Sequence, residues 1–158
     1  MKMNKEIDTR LAFLIQSYDV HTNLFPKIIN VAAKRNLNLS IKERNEISWL
    51  IGSQVQLRYE IANLMGVEDK QAAEALFSDN KEVLYDIVYP SLSSFNHDWE
   101  KISPILKSAI LELSNKELFT FSKETPEKKG VIFDLLSFGI QRESNSICRL
   151  ILWPGGLI

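Results

Sequence analysis

A chain of 158 residues falls in the size range of one compact domain, long enough to bury a continuous core without disulfide or metal staples. With 19 basic and 20 acidic residues the net charge is -1, so no strong field draws the chain to phosphate backbones or anionic lipid, and nucleic acid is excluded as the expected partner. Hydrophobic residues at 45%, with only six glycines and five prolines, describe a globular composition that favours helix over disorder or fibre.

The first predicted element runs from Lys5 to about Arg35, where Leu11, Leu14, Ile15, Tyr18, Thr22, Phe25, Ile28, Ile29 and Ala32 recur at helical spacing. Pro26 inside it predicts a kink near Thr22 to Phe25, or two shorter helices meeting there. Ser40 and Glu43 have the spacing of a capping box and open a second helix over about Ile41 to Met65, with Gly66 as its stop. Its apolar stripe is Ile47, Leu50, Ile51, Gln54, Leu57, Ile61, Leu64 and Met65. The stretch "VEDKQAAEALFSDN" reads as a loop with a short helix within Lys70 to Phe77. A third helical region is expected from Lys81, broken at Tyr89-Pro90 and resumed from Ser91 to about Leu113, with a bend at Pro104. After the long connection "SNKELFTFSKETPEKKG", a fourth helix runs from about Pro126 or Gly130 to Trp153 and is stopped by "PGG".

No alternating apolar and polar series bounded by hairpin turns occurs. Four long helices hide four apolar stripes most economically as an all-α four-helix bundle, here a single domain over 1–158 with kinked helices and a long connection between the second and third. No run of about 18 apolar residues exists, so no membrane partner is expected, and the amphipathic amino-terminal stretch is not read as a signal peptide. The single cysteine, Cys148, cannot form an internal disulfide, which fits a cytoplasmic, reducing setting.

Two polar interruptions stand inside apolar stripes. On the second helix Ser53 and Gln54 follow Gly52; on the fourth, the expected inward positions are Ile132, Leu135, Leu136, Gly139, Arg142, Glu143, Ser146, Leu150 and Trp153. A buried charge without a partner costs several kcal/mol, so these groups either pair or line a solvated cavity. One reading is an Arg142–Glu143 pair at the surface, with Ser53 and Gln54 satisfied by neighbouring helices; the other is a ligand-lined pocket.

The segment "WLIGSQVQLRYEIANLMG" resembles the second-helix motif of the DinB-like (DinB/YfiT) superfamily, through Trp49, Gly52, Arg58 and Gly66. The segment "LLSFGIQRESNSICRLI" is similar to its fourth-helix motif through Glu143, Ile147 and Leu150, with Gly155 or Gly156 beyond. The resemblance implies the family's helix order over nearly the whole chain, and a site where three histidines of the family bind a divalent metal. Ser53, Arg142 and Ser146 stand at the corresponding places, and none replaces imidazole as a ligand; an arginine brings a fixed positive charge instead. Family members with the triad are similar to thiol-dependent transferases.

The implied function is therefore a relative without the metal triad, non-catalytic and without a cofactor. It is expected to bind a small, possibly anionic, molecule in the former metal cavity through Trp49, Ser53, Gln54, Arg142, Glu143 and Ser146. The alternatives are an interaction module acting as a homodimer and a residual metal-dependent thiol transferase. No G-x-S-x-G elbow or phosphate loop occurs, and His21, His97 and Cys148 are read as structural. The recurring aromatics Phe13, Tyr18, Phe25, Trp49, Phe95, Trp99 and Phe138 are assigned to the core.

Overall fold

The computed structural model describes residues 8–113, 115–119 and 131–156, and these are all-helical in character. Helix α1 (Thr9–Arg35) buries Leu11, Leu14, Tyr18, Phe25, Ile28, Ile29 and Ala32, seven of the nine residues read from its spacing, with Ile15 and Thr22 half-buried. It runs unbroken through Pro26 rather than dividing there. Proline removes the N–H that would bond the Thr22 carbonyl. The Trp99 indole nitrogen, from another helix, donates to that carbonyl at 3.3 Å. A tertiary donor thus replaces the missing helical one.

Helix α2 (Ile41–Leu64) opens with the capping box: the Ser40 hydroxyl accepts from the Glu43 amide, and the Glu43 carboxylate accepts from the Ser40 amide at 2.9 Å. It closes in a Schellman turn, with Val67 N–H on the Ala62 carbonyl, Gly66 N–H on that of Asn63, and Gly66 at a φ of 95°. Ser40→Ala is expected to cost about 0.5–2 kcal/mol in urea unfolding. Hydrogen bonds from the Ser40 amide and then the Ser40 hydroxyl hold the Glu43 carboxyl below its usual range. A depressed carboxylate pKa contributes stability above the unfolded value and loses it as pH falls through the folded one. The advantage of the native chain over Glu43→Ala is therefore expected to fade on acidification below the ordinary carboxylate range.

Between α2 and the next long helix, two 3-10 turns, Glu74–Leu76 and Ser78–Asn80, replace the expected short helix, and residues 81–90 form none of the helix expected from Lys81. Side chains take up this segment's backbone groups instead. Asn45 donates to the Leu84 and Ile87 carbonyls at 3.2 and 3.3 Å, and the Tyr89 hydroxyl accepts from the Leu84 amide. Helix α3 (Leu92–Leu111) then starts on a Ser91 cap and contains Pro104. A single turn, α4 (Asn115–Leu118), follows. Helix α5 (Ile132–Ile151) starts just beyond the expected Pro126 or Gly130, both of which lie outside the described residues.

The packing of the long helices forms a ring: α1 and α2 each lie against both α3 and α5. Helix α2 is buried around most of its circumference, from Asn45 and Ile47 to Ile61 and Ala62, because the connection after Gly66 covers its outer side. A Cβ at Gly52 would fall inside the Phe77 ring, Gln71 donates to the Gly52 carbonyl, and the Trp49 indole donates to Lys81 of the connection. The apolar stripe read from the sequence was therefore too narrow. Among the described residues no helix is long and apolar enough to cross a membrane.

Candidate functional site

At the centre of the ring lies a charge the stripe of α2 did not assign inward. Arg58 is 1% exposed and Glu143, on α5, is wholly buried. The guanidinium grips the carboxylate with both ends of its fork, Nε to Oε2 at 2.7 Å and Nη2 to Oε1 at 2.9 Å. Its other three N–H groups go to the Thr22 hydroxyl at 2.7 Å, the Ser103 hydroxyl at 2.8 Å and the Tyr18 carbonyl at 3.2 Å. All five donors are satisfied, and by all three other long helices. The Trp99 ring covers the guanidinium plane at 3.7 Å, so the cation is desolvated against a π face.

Around this pair the second layer is complete. Thr22 and Ser103 donate in turn to the carbonyls of Tyr18 and Trp99. The Tyr18 phenol donates to the Leu136 carbonyl at 2.8 Å; burial, then the adjacent Glu143 charge, push its pKa far above the usual range, which keeps it a neutral donor. A Cβ on Gly139 would come within 2.5 Å of that phenol oxygen, so glycine gives Tyr18 its place against α5. His21, read as structural, lies beside this pair: its Nδ1 lies 3.0 Å from Glu143 Oε1 and its Nε2 3.4 Å from the Ser144 hydroxyl.

The Arg142–Glu143 pair is therefore replaced by an Arg58–Glu143 pair. Neighbouring residues on a helix point about 100° apart, so Glu143 facing the core turns Arg142 toward the rim. Arg142 is exposed, lying 5.7 Å from the Phe138 ring. The inward line of α5 is Leu136, Gly139, Glu143, Ile147 and Leu150, with Ser146 half-buried at its edge.

That edge borders a cleft of about 530 Å³ between α2 and α5. Five of the six expected ligand residues line it, namely Trp49, Ser53, Gln54, Arg142 and Ser146, and Glu143 does not. Leu50, Leu57, Asn145, Cys148 and Arg149 complete the lining, of which Arg149 and Asn145 were not anticipated. Both are exposed polar residues on an outer face, where the sequence carries no periodic signal. Arg142 and Arg149 have no carboxylate partner among the described residues, and no acidic side chain lines the cleft. Gln54 is buried and accepts from the Ser146 hydroxyl at 3.0 Å, while its amide nitrogen has no partner.

Serine, arginine and serine supply no ordinary metal ligand at this position. Among the described residues no three His, Cys, Asp or Glu side chains converge: His97 is exposed, Glu143 holds Arg58, and Glu46 accepts from the Tyr85 hydroxyl. Cys148 is exposed at the cleft wall rather than a core residue. Of the aromatics assigned to the core, Phe13 and Phe138 are 70% and 49% exposed. No family model, curated protein or solved structure matches the chain.

Proposed function

We propose that this protein is a four-helix bundle of DinB-like type without the metal triad, and that it binds a small anionic molecule in the α2–α5 cleft without catalysing a reaction on it. The observation that carries the reading is the charge imbalance of the cleft: two arginines without carboxylate partners and no lining carboxylate. Glu143, the acidic residue nearest in sequence, is withdrawn into the core by Arg58. The Gln54 amide nitrogen adds an unpaired donor whose burial without a partner costs about 1–3 kcal/mol, a cost that a ligand oxygen would relieve. Arg142 and Arg149 offer forked donors suited to carboxylate or phosphate, and Trp49, Leu50 and Leu57 supply apolar wall.

Calorimetric titration with octanoate and phenyl phosphate tests this. Binding is expected on the native chain, to weaken about tenfold in Arg142→Ala and further with Arg149→Ala added, and to fall with salt. Affinity unchanged in the double variant would refute the reading. A second reading, two copies paired through the α1–α5 face, draws support from exposed Phe13 beside a largely apolar groove with Phe133 and Ile140. Sedimentation at rising protein concentration reads it: a mass that stays that of one chain removes it.

A further inference from the structure

Toward the start of α2 the anion cleft borders a second hollow of about 540 Å³, with Cys148 and Arg149 in the wall of both. The second hollow has the opposite charge character, for Glu43 and Glu46 line it. Residue numbers along the two walls run in opposite senses: Glu46 lies near Leu152 and Trp153, whereas Leu57 lies near Arg142, so α2 and α5 are antiparallel here. Arginines are thus the only charged residues lining the first hollow, whereas Glu43 and Glu46 face Arg149 in the second, and Trp49 and Leu50 lie between Glu46 and Ser53 on α2.

These opposite charges do not neutralise one another. Among the described residues neither arginine forms an ion pair with Glu43 or Glu46, although Arg149 shares a wall with both. Glu43 accepts from the Ser40 amide through Oε2, and Glu46 from the Tyr85 hydroxyl through Oε1. In the basic hollow, the side-chain nitrogen of buried Gln54 has no hydrogen-bond partner. Ser53 lies seven positions beyond Glu46, about 10 Å along a helix.

Resting on the anion-binding reading above, we infer that the ligand is an extended zwitterion. Its carboxylate or phosphate lies at Gln54, Arg142 and Arg149, its ammonium at Glu43 and Glu46, and an apolar stem of about 10 Å lies along Trp49 and Leu50 between them. Two acids on a wall would be ordinary solvated charges if they stood alone. Here they end a groove whose other end holds unpaired cations and an orphaned buried donor.

Paired titrations of the full chain with octanoate and ω-aminooctanoate test the assignment, since the probes differ only in the terminal ammonium. The aminated probe is expected to bind about tenfold more tightly. Glu43→Gln/Glu46→Gln, which preserves the capping box because glutamine serves at that position, is expected to bring the two affinities together. Equal affinities on the native chain, with octanoate still bound, overturn the zwitterion and leave the anion site standing. Binding of neither probe overturns both.

Discussion

Arg58→Met is expected to destabilise the protein by about 3–5 kcal/mol, read as a lower urea midpoint at unchanged slope. Methionine nearly fills the volume, so little of the loss comes from a cavity. The loss comes from Glu143, left wholly buried with the His21 ring as its remaining side-chain hydrogen-bond partner among the described residues. Deleting both charges removes that penalty: Arg58→Met/Glu143→Met is expected to recover most of the stability, because hydrophobic replacement of a buried pair is often neutral or better. Thr22 and Ser103 tolerate the change, since each hydroxyl already donates to a backbone carbonyl. Arg58→Lys is expected to be nearly as damaging as methionine, because an ammonium cannot reproduce a fork spread over three helices. A loss below about 1 kcal/mol for Arg58→Met would mean that the charge is not in the core.

The second large effect falls on Trp99. Trp99→Ala is expected to cost about 3–5 kcal/mol, through lost packing on Phe25, whose ring centroid is 4.5 Å away, and through exposure of the guanidinium face. Trp99→Phe separates a further contribution, since it keeps a ring over Arg58 but removes the donor to the Thr22 carbonyl. That carbonyl lacks its helical donor because residue 26 is proline. In a Pro26→Ala background the residue 26 amide can serve Thr22, so the cost of Trp99→Phe is expected to shrink there. Strict additivity of the two changes would break the proposed link.

How much of this was legible follows from what each feature depends on. The start and stop of α2 were readable at Ser40, Glu43 and Gly66 because caps are local, and so was the α1 stripe, which faces one side only. The segment after Lys81 was misread as helix because its backbone partners, Asn45 and Tyr89, are supplied by tertiary contact rather than by periodicity. The Arg58–Glu143 pair joins residues 85 positions apart. Each had been matched separately to a motif, yet nothing in spacing states that they meet, and the adjacent Arg142 offered a nearer partner on paper. Five of the six expected ligand residues reached one cleft because Trp49, Ser53 and Gln54 share one side of α2, and Arg142 and Ser146 are four apart on α5.

The withdrawal of Glu143 also bears on the functional proposal. With Glu143 held in the core by Arg58, no carboxylate stands beside Arg142 in the cleft.

The most direct measurement is a map of amide and arginine side-chain NMR shifts during titration with octanoate. The largest changes are expected at the Gln54 side-chain amide and at Nε of Arg142 and Arg149, with Nε of Arg58 unmoved. Changes centred instead on the Phe13, Phe133 and Ile140 groove, or on Arg58 itself, would contradict the account.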